Sequence, residues 1–181
     1  MTHTLYLVRH TAPDIAPGIC YGQLDIGVAS SFDEEAKIVR NWLPPADIIV
    51  TSPLLRARKL AEYLGQELKC RLRSDVRLME KSFGAWEGTA WDDIGREEID
   101  AWAADVMNYV PPRGESGQQL MQRAQAALRD IAQLHRETVI IVTHGGMIRA
   151  MLAQLGQLPL PSTLPWEVAY GAVIAVRCRP S

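Results

Sequence analysis

Two histidines and two arginines follow short apolar runs that have the composition of buried strands. These residues are Arg9, His10, Arg56 and His144. In open α/β sheets, ligands bind beyond the carboxyl ends of the strands, so we expect the four side chains to meet at one edge of a sheet. Arginine presents a rigid fork of donors that matches phosphate oxygens. The set therefore suits a doubly charged anion, and a phosphate monoester is the obvious candidate.

The same residues indicate what the site could do to a phosphate ester. Neutral imidazole is an adequate nucleophile near neutral pH, so a histidine between cations could attack phosphorus. Gly145-Gly146 begins a predicted helix behind His144, and backbone N–H groups at a helix start can point at an anion. The leaving alkoxide needs a proton donor. Glu80 and Glu87, both in a loop rich in glycine and tryptophan, are the candidates.

A metal site built from His10, His144 and Glu80 is the rival interpretation. Nearby arginines would repel a divalent cation and cannot act as ligands, so we expect no metal and no other cofactor.

Composition excludes several other classes of function. A length of 181 residues, with 48% hydrophobic and 22% charged residues, predicts a single domain over residues 1–181. A net charge of −2 gives no reason to expect nucleic acid or membrane partners, so the expected partner is a small molecule. Three scattered cysteines without CxxC spacing favour a reducing cytoplasm, and neither a signal peptide nor a membrane-length apolar run is evident. The oligomeric state stays open.

The order of predicted elements defines the fold class. Strands are expected over about Thr4–Val8, Asp47–Thr51, Arg71–Asp75, Thr138–Thr143 and Ala172–Arg177. Helices are expected over Phe32–Leu43, from a Ser52-Pro53 start to Leu68, and over Trp91–Met107, Glu115–Leu134 and Gly146–Leu155. Because strands alternate with helices, we predict an α/β fold with a largely parallel sheet covered on both faces.

Five motifs together make the chain resemble the histidine phosphatase superfamily, also called phosphoglycerate mutase-like. They are LVRH at Leu7–His10, SPLLRA at Ser52–Ala57, LMEKSFGAWEG at Leu78–Gly88, GES at Gly114–Ser116 with Arg123 following, and VTHGG at Val142–Gly146. The resemblance implies a three-layer α/β/α sandwich with a mixed, mostly parallel sheet, and a phosphohistidine intermediate. It also implies that His10 is the nucleophile, that Glu80 is the proton donor, and that Arg9, Arg56 and His144 bind the transferring phosphoryl group.

A longer match, G-x-C-Y-G-Q-x-D at Gly18–Asp25, resembles the α-ribazole-5′-phosphate phosphatase branch, which serves cobalamin biosynthesis. It implies α-ribazole 5′-phosphate as substrate. Tyr21, Gly22 and Gly145 then join the expected substrate-binding residues. The chain departs from the usual family pattern at Thr11-Ala12-Pro13, where relatives carry Gly-Glu-Thr or Gly-Glu-Ser. Threonine does not share glycine's range of φ, so the loop there is expected to differ.

Several interpretations stay open from the sequence. The substrate could be another small phosphomonoester, the chain could be a phosphoglycerate mutase, or it could be a binding or regulatory module with impaired catalysis. Glu87 could bind substrate, assist Glu80 or have a structural role. Trp86, Trp91 and Trp102 could frame a substrate, but we expect them mainly to pack. Glu115 and Arg123 are expected to form a structural pair.

Overall fold

The sheet of the protein is mixed and contains five strands. The computed structural model describes residues 3–178. The strands are β1 (His3–Arg9), β2 (Ile48–Thr51), β3 (Arg71–Ser74), β4 (Thr138–Thr143) and β5 (Val173–Cys178). Their spatial order is β3-β2-β4-β1-β5, and β5 runs antiparallel to β1 while the other pairs are parallel.

Helices cover both faces of this sheet. They are α1 (Phe32–Asn41), α2 (Leu55–Leu68), α3 (Arg96–Ala104), α4 (Gly117–Ala132), α5 (Gly145–Gly156) and α6 (Leu160–Thr163). Ile140 and Val142 of β4 pack with α1 and α2, whereas Val139 and Ile141 of the same strand pack with α4 and α5. This alternation follows from the pleat of a strand buried on both sides. The predicted three-layer α/β/α sandwich is confirmed.

None of the helices within residues 3–178 is long and apolar enough to cross a membrane.

The strand order brings the chemically important strand ends together. The central strand β4 lies between β1 and β2, and all three are parallel, so their carboxyl ends share one edge of the sheet. The N–H of His10 donates to the carbonyl of Thr143 over 3.0 Å, and the N–H of Ser52 donates to that of Val142 over 3.0 Å. These bonds continue the ladder past the strands and place His10 and Ser52 on either side of His144.

The predicted start of α2 at Ser52-Pro53 is wrong, because the helix begins at Leu55. The Ser52 hydroxyl is used elsewhere: it accepts from the N–H of Leu54 over 3.3 Å and bonds His144 Nε2 over 2.8 Å. The first helical N–H, that of Leu55, instead donates to Asp25 Oδ1 over 2.6 Å. A carboxylate from a distant loop therefore caps the positive end of α2.

The predicted helix over Trp91–Met107 is also wrong. The structure has a short 3₁₀ turn at Trp91–Asp93, then two non-helical residues, and then α3 over Arg96–Ala104 only. The break lets the Trp91 ring pack edge-on against Phe83, with centroids 5.1 Å apart. Trp91 thereby joins a small apolar cluster that is separate from the two cores flanking the sheet. We call it the aromatic cluster, and its rings are those of Phe83, Trp86, Trp91, Trp102 and Tyr109.

The loop that carries Glu80 depends on close backbone packing at Gly84. Gly84 has a φ of +56°, and a Cβ built there would lie 2.2 Å from the carbonyl oxygen of Pro112. We expect Gly84→Ala to lower the free energy of unfolding by about 2 kcal/mol or more, since it combines backbone strain with a clash against main chain. Urea denaturation would measure this loss.

Gly27→Ala is the matched control, because a Cβ at Gly27 meets nothing within 4 Å. It should change stability by less than about 0.5 kcal/mol. Equal effects of the two substitutions would contradict the packing argument.

Candidate active site

The His10 imidazole is buried and held in one tautomer. Its Nδ1 lies 2.6 Å from the carbonyl oxygen of Thr11, so Nδ1 carries the hydrogen and donates. Its Nε2 accepts from the Arg56 Nε–H over 3.3 Å and presents its lone pair on that side. Burial, with the positive charge of Arg56 next in importance, lowers the pKa of His10 to about 3. The ring is therefore neutral near neutral pH, as a nucleophile must be.

Thr11, where relatives usually carry glycine, is accommodated without backbone strain. The residue is fully buried, and it is not among the non-glycine residues of the described chain that have positive φ. Its carbonyl is the acceptor that fixes the His10 tautomer. The Thr11-Ala12-Pro13 departure therefore leaves the orientation of the His10 ring intact.

Arg56 is fully buried in the first turn of α2 and is held by backbone carbonyls. Its Nη1 donates to Leu24 over 2.7 Å, and its Nη2 donates to Gly22 over 2.6 Å. With the bond to His10, three of the five guanidinium N–H groups are used within the protein, and the others are left for a ligand. The Gly18–Asp25 motif thus has a structural role: its loop orients a buried arginine.

His144 and Arg9 each bring an unsatisfied polar atom to the site. His144 Nε2 bonds the Ser52 hydroxyl over 2.8 Å, and its ring centroid lies 5.1 Å from that of His10. Burial lowers the pKa of His144 well below its usual value, assisted by His10 and the arginines. Arg9 Nη1 donates to the carbonyl of Val168 over 2.5 Å. Within residues 3–178, His144 Nδ1 and Arg9 Nε are buried without a partner, which is rare unless a ligand supplies one.

Glu80 lies against the start of α5. Its carboxylate accepts from the N–H of Gly146 over 3.0 Å and from the N–H of Lys81 over 2.8 Å. A Cβ at Gly146 would lie 2.3 Å from Glu80 Oε1, so only glycine allows this approach. The helix start was expected to offer its N–H groups to a ligand anion. The Gly146 N–H instead holds a carboxylate of the protein.

The other acidic residues near Glu80 brace the loop. Glu87 Oε1 accepts from the N–H groups of Gln23, over 3.1 Å, and Phe83, over 2.8 Å, which favours the structural interpretation of Glu87. Arg123 forms the expected pair with Glu115 at 2.5 Å. Arg123 Nη2 also donates to the carbonyl of Glu80 over 2.8 Å, as does Gln23 Nε2. Gln23 belongs to the Gly18–Asp25 motif, but its contact with the Glu80 carbonyl was not predicted, because that contact forms across the fold.

Two tyrosines close one side of the site. The hydroxyls of Tyr21 and Tyr170 lie 3.0 Å apart. The Arg9 guanidinium stacks 4.0 Å above the Tyr170 ring, and the Arg56 guanidinium lies 5.0 Å from the Tyr21 ring. The Tyr170 ring also lies 5.6 Å from that of His10. Tyr170 belongs to no motif that the sequence analysis used.

A cavity of about 390 Å³ opens beside Glu80. Its lining includes the predicted Tyr21 and Gly22, Gly146 of the predicted helix start, and Arg149, which the sequence analysis had missed. Its apolar lining comes from Ile19, Phe83, Trp91, Trp102, Val106, Leu120, Leu160 and Leu164. Trp91 and Trp102, expected mainly to pack, thus also face open space.

Gly145, a predicted substrate-binding residue, does not line this cavity. A Cβ there would lie 3.4 Å from both Arg9 Nε and Arg149 Nη1, so its missing side chain makes room for two guanidiniums. Within residues 3–178, no group of three or more His, Cys, Asp or Glu residues is arranged to hold a metal ion.

Comparison with known proteins shows to which family the chain belongs. The sequence pattern that defines the histidine phosphatase superfamily (branch 1) matches residues 5–181. The chain belongs to this superfamily. A metal-independent phosphoserine phosphatase of Arabidopsis thaliana is 30% identical over 165 residues, which cover 84% of this chain and 68% of that protein. An adenosylcobalamin/α-ribazole phosphatase of Salmonella typhimurium is 29% identical over an alignment that covers 95% of this chain and 89% of that protein.

Solved structures of this superfamily have the same fold. The crystal structure of the α-ribazole phosphatase from Shigella flexneri superposes with a TM-score of 0.87 at 24% identity, covering 95% of this chain and 89% of that one. The predicted phosphoglycerate mutase-like fold is confirmed. The protein is a histidine phosphatase and hence an enzyme that acts on phosphate esters.

The depressed pKa of His10 predicts how the stability of this histidine phosphatase depends on pH. Between the usual value of 6.5 and the folded-state value of about 3, the unfolded chain binds a proton at His10 that the folded chain does not. Stability should therefore fall as the pH falls through this window. His10→Gln should make the fall shallower by about 1.4 kcal/mol per pH unit.

Urea denaturation of both proteins at a series of pH values would measure the two slopes. His135→Asn is the control, since His135 is exposed and its φ of 50° is one that asparagine adopts readily. Parallel pH dependences for wild type and His10→Gln would show that His10 is not held neutral by the fold.

Proposed function

We propose that the protein hydrolyses phosphate monoesters through a phosphohistidine on Nε2 of His10. The observation that carries this proposal is a neutral, oriented imidazole flanked by the unpartnered Arg9 Nε and His144 Nδ1. A phosphoryl group at Nε2 would supply oxygens to both of these atoms. The proposal treats residues 1–181 as a single catalytic domain that needs no metal and no cofactor.

In the first step, His10 Nε2 attacks phosphorus and the bond between phosphorus and the ester oxygen breaks. Arg9, Arg56 and His144 stabilise the charge on the phosphoryl oxygens, which is the main catalytic contribution in such transfers. Arg56 contributes a full charge, because its protein partners are neutral carbonyls and the imidazole of His10. The leaving oxygen departs toward Glu80.

Glu80 is the proposed general acid. It lines the cavity where a leaving group would lie, and its loop is fixed through the main chain by Arg123 and Gln23. It protonates the leaving oxygen in the first step. In the second step its carboxylate takes a proton from water as the water oxygen attacks phosphorus. The bond between phosphorus and Nε2 then breaks, which releases inorganic phosphate and restores neutral His10.

The proposed substrate is α-ribazole 5′-phosphate, which would give the protein a role in cobalamin biosynthesis. Three features support this choice: the Gly18–Asp25 motif, the named activity of the Salmonella relative, and a leaving-group cavity that is largely apolar. Substrate is positioned by Arg9, Arg56 and His144 at the phosphate, and by Tyr21 and Gly22 beyond it. Three free cysteines are compatible with action in the cytoplasm.

Arg149 favours a second candidate substrate class. Its guanidinium lines the cavity and donates from Nε to the carbonyl of Trp166 over 2.9 Å. Within residues 3–178 it has no carboxylate in ion-pair distance. A phosphomonoester with a carboxylate, such as phosphoserine or phosphoglycerate, would supply that charge.

The roles of His10 and Glu80 can be separated by leaving-group chemistry. Glu80→Gln should lower kcat with alkyl phosphates on the order of ~10²-fold, because a poor leaving group needs a proton. The loss should be much smaller with p-nitrophenyl phosphate, whose leaving group departs unprotonated. His10→Ala should abolish turnover of both substrates and any acid-labile phosphoenzyme. Steady-state kinetics and trapping of the phosphoenzyme would measure these effects.

Glu87→Gln is the control for Glu80→Gln, since the amide oxygen that this substitution introduces can still accept both backbone N–H bonds. It should show no selective defect with alkyl substrates. If Glu87→Gln shows a selective defect with alkyl substrates and Glu80→Gln does not, Glu87 is the general acid instead of Glu80.

The choice of substrate can be tested by comparing kcat/KM values across phosphomonoesters. We expect α-ribazole 5′-phosphate to exceed 3-phosphoglycerate and phosphoserine by about 10-fold or more, because a small charged leaving group leaves the apolar cavity unfilled. A preference for phosphoserine or 3-phosphoglycerate that is lost in Arg149→Gln would favour the second candidate instead. A requirement for added bisphosphoglycerate would identify a mutase.

A further inference from the structure

Three aromatic rings line the cavity beside Glu80. We call Phe83, Trp91 and Trp102 the aromatic wall. The two indoles are nearly parallel, with centroids 5.9 Å apart and planes inclined by 23°. Phe83 meets each of them edge-on, at 5.1 Å and 6.0 Å. The wall is therefore a braced surface whose rings hold one another in place.

The wall differs from the rest of the aromatic cluster in its exposure. Trp86 lies in the same cluster, is only 4% exposed and does not line the cavity. Trp91 and Trp102 remain half-buried and border the cavity. A hydrophobic ring that packs in a core gains from full burial, so two half-buried indoles on one cavity indicate a surface for a ligand.

The charged residues of the cavity contact one ring of the wall but neither indole. Glu80, Lys81 and Arg149 line the cavity, and the Glu80 carboxylate contacts the start of α5. Lys81 Nζ lies 5.5 Å from the centroid of the Phe83 ring and donates to the carbonyl of Glu115, whereas within residues 3–178 no cation lies over Trp91 or Trp102. A leaving group whose oxygen is protonated by Glu80 would thus have two indole surfaces free for its apolar part.

We propose that Trp91 and Trp102 are specificity-determining residues, which select phosphate esters of a ribose that carries a planar aromatic base. The base stacks on the indole surface while the phosphate occupies the site around His10. This inference rests on the proposed phosphatase reaction and adds the feature of the leaving group that the enzyme recognises. Stacking of a base on an aromatic side chain changes affinity by about 5- to 150-fold.

Ribose 5-phosphate isolates the contribution of the base, since it has the sugar and phosphate but no base. The measured quantity is kcat/KM for α-ribazole 5′-phosphate divided by kcat/KM for ribose 5-phosphate. Trp91→Leu and Trp102→Leu should each lower this ratio by about 5-fold or more. Trp91→Phe and Trp102→Phe keep a flat ring and should recover part of the ratio.

Trp86→Phe is the matched control, because it perturbs the same cluster from the side away from the cavity. It should leave the ratio unchanged even if it lowers stability. If Trp86→Phe lowers the ratio equally, or if every variant lowers kcat/KM for both substrates alike, the specificity role is wrong. The three rings of the wall would then serve only to pack against one another.

Adenosine 5′-monophosphate separates failure of this inference from failure of the proposed substrate. If the wild-type enzyme prefers this nucleotide to ribose 5-phosphate but does not prefer α-ribazole 5′-phosphate, the wall recognises bases and the substrate assignment is wrong. If neither base improves on ribose 5-phosphate, the inference about the wall is refuted, and phosphatase activity on ribose 5-phosphate still stands.

Discussion

The site depends on one buried cation, Arg56, that has no carboxylate in ion-pair distance within residues 3–178. Arg56 is fully buried, and a buried charge is costly unless it is solvated by the protein. The carbonyls of Gly22 and Leu24 provide that solvation with partial charges only. Burial lowers the pKa of the Arg56 guanidinium, and the nearby Glu80 carboxylate opposes this effect. The positive charge is therefore available to a phosphoryl group, and after burial it is the next cause of the lowered pKa that keeps His10 neutral.

Much of the surrounding structure maintains this arrangement. Asp25 caps the helix that carries Arg56, which fixes the loop and the helix to each other. Gln23, from the same loop, donates to the carbonyl of Glu80 and so links the loop of the cation to the loop of the proposed acid. The carbonyl contacts of Arg56 and the position of Glu80 therefore depend on the same loop. A change in this loop would disturb both the proposed phosphoryl binding and the proposed proton transfer.

The sequence predicted the parts of the site that follow from local pattern and sheet topology. His10, Arg56 and His144 were found because they follow apolar strands, and parallel strands deliver their ends to one edge. The errors of the sequence-based prediction arise where a residue distant in sequence bonds a polar group that local pattern assigns to another role. Ser52 has the residue type of a helix cap, but its hydroxyl bonds His144. Gly146 lies in the first turn of α5, which begins one residue earlier than predicted, and its N–H donates to Glu80 instead of a ligand. Tyr170 lies in a loop whose position no local pattern specifies.

The surroundings of His10 and the cavity beside Glu80 differ in the kind of interaction they offer a substrate. Around His10, charge and hydrogen-bond direction are set by the half-buried Arg9 and the buried Arg56 and His144, and each depends on partners from other elements. In the cavity, the aromatic wall contributes apolar surface from α3, from the turn before it and from the Glu80 loop, and α3 itself has no buried residue. If the proposed role of the wall is right, substitutions there would change which leaving group fits without disturbing the neutral state of His10. The residues that carry the chemistry and those proposed to carry the specificity would then lie in different elements of the fold, so that specificity could vary while the chemistry is retained.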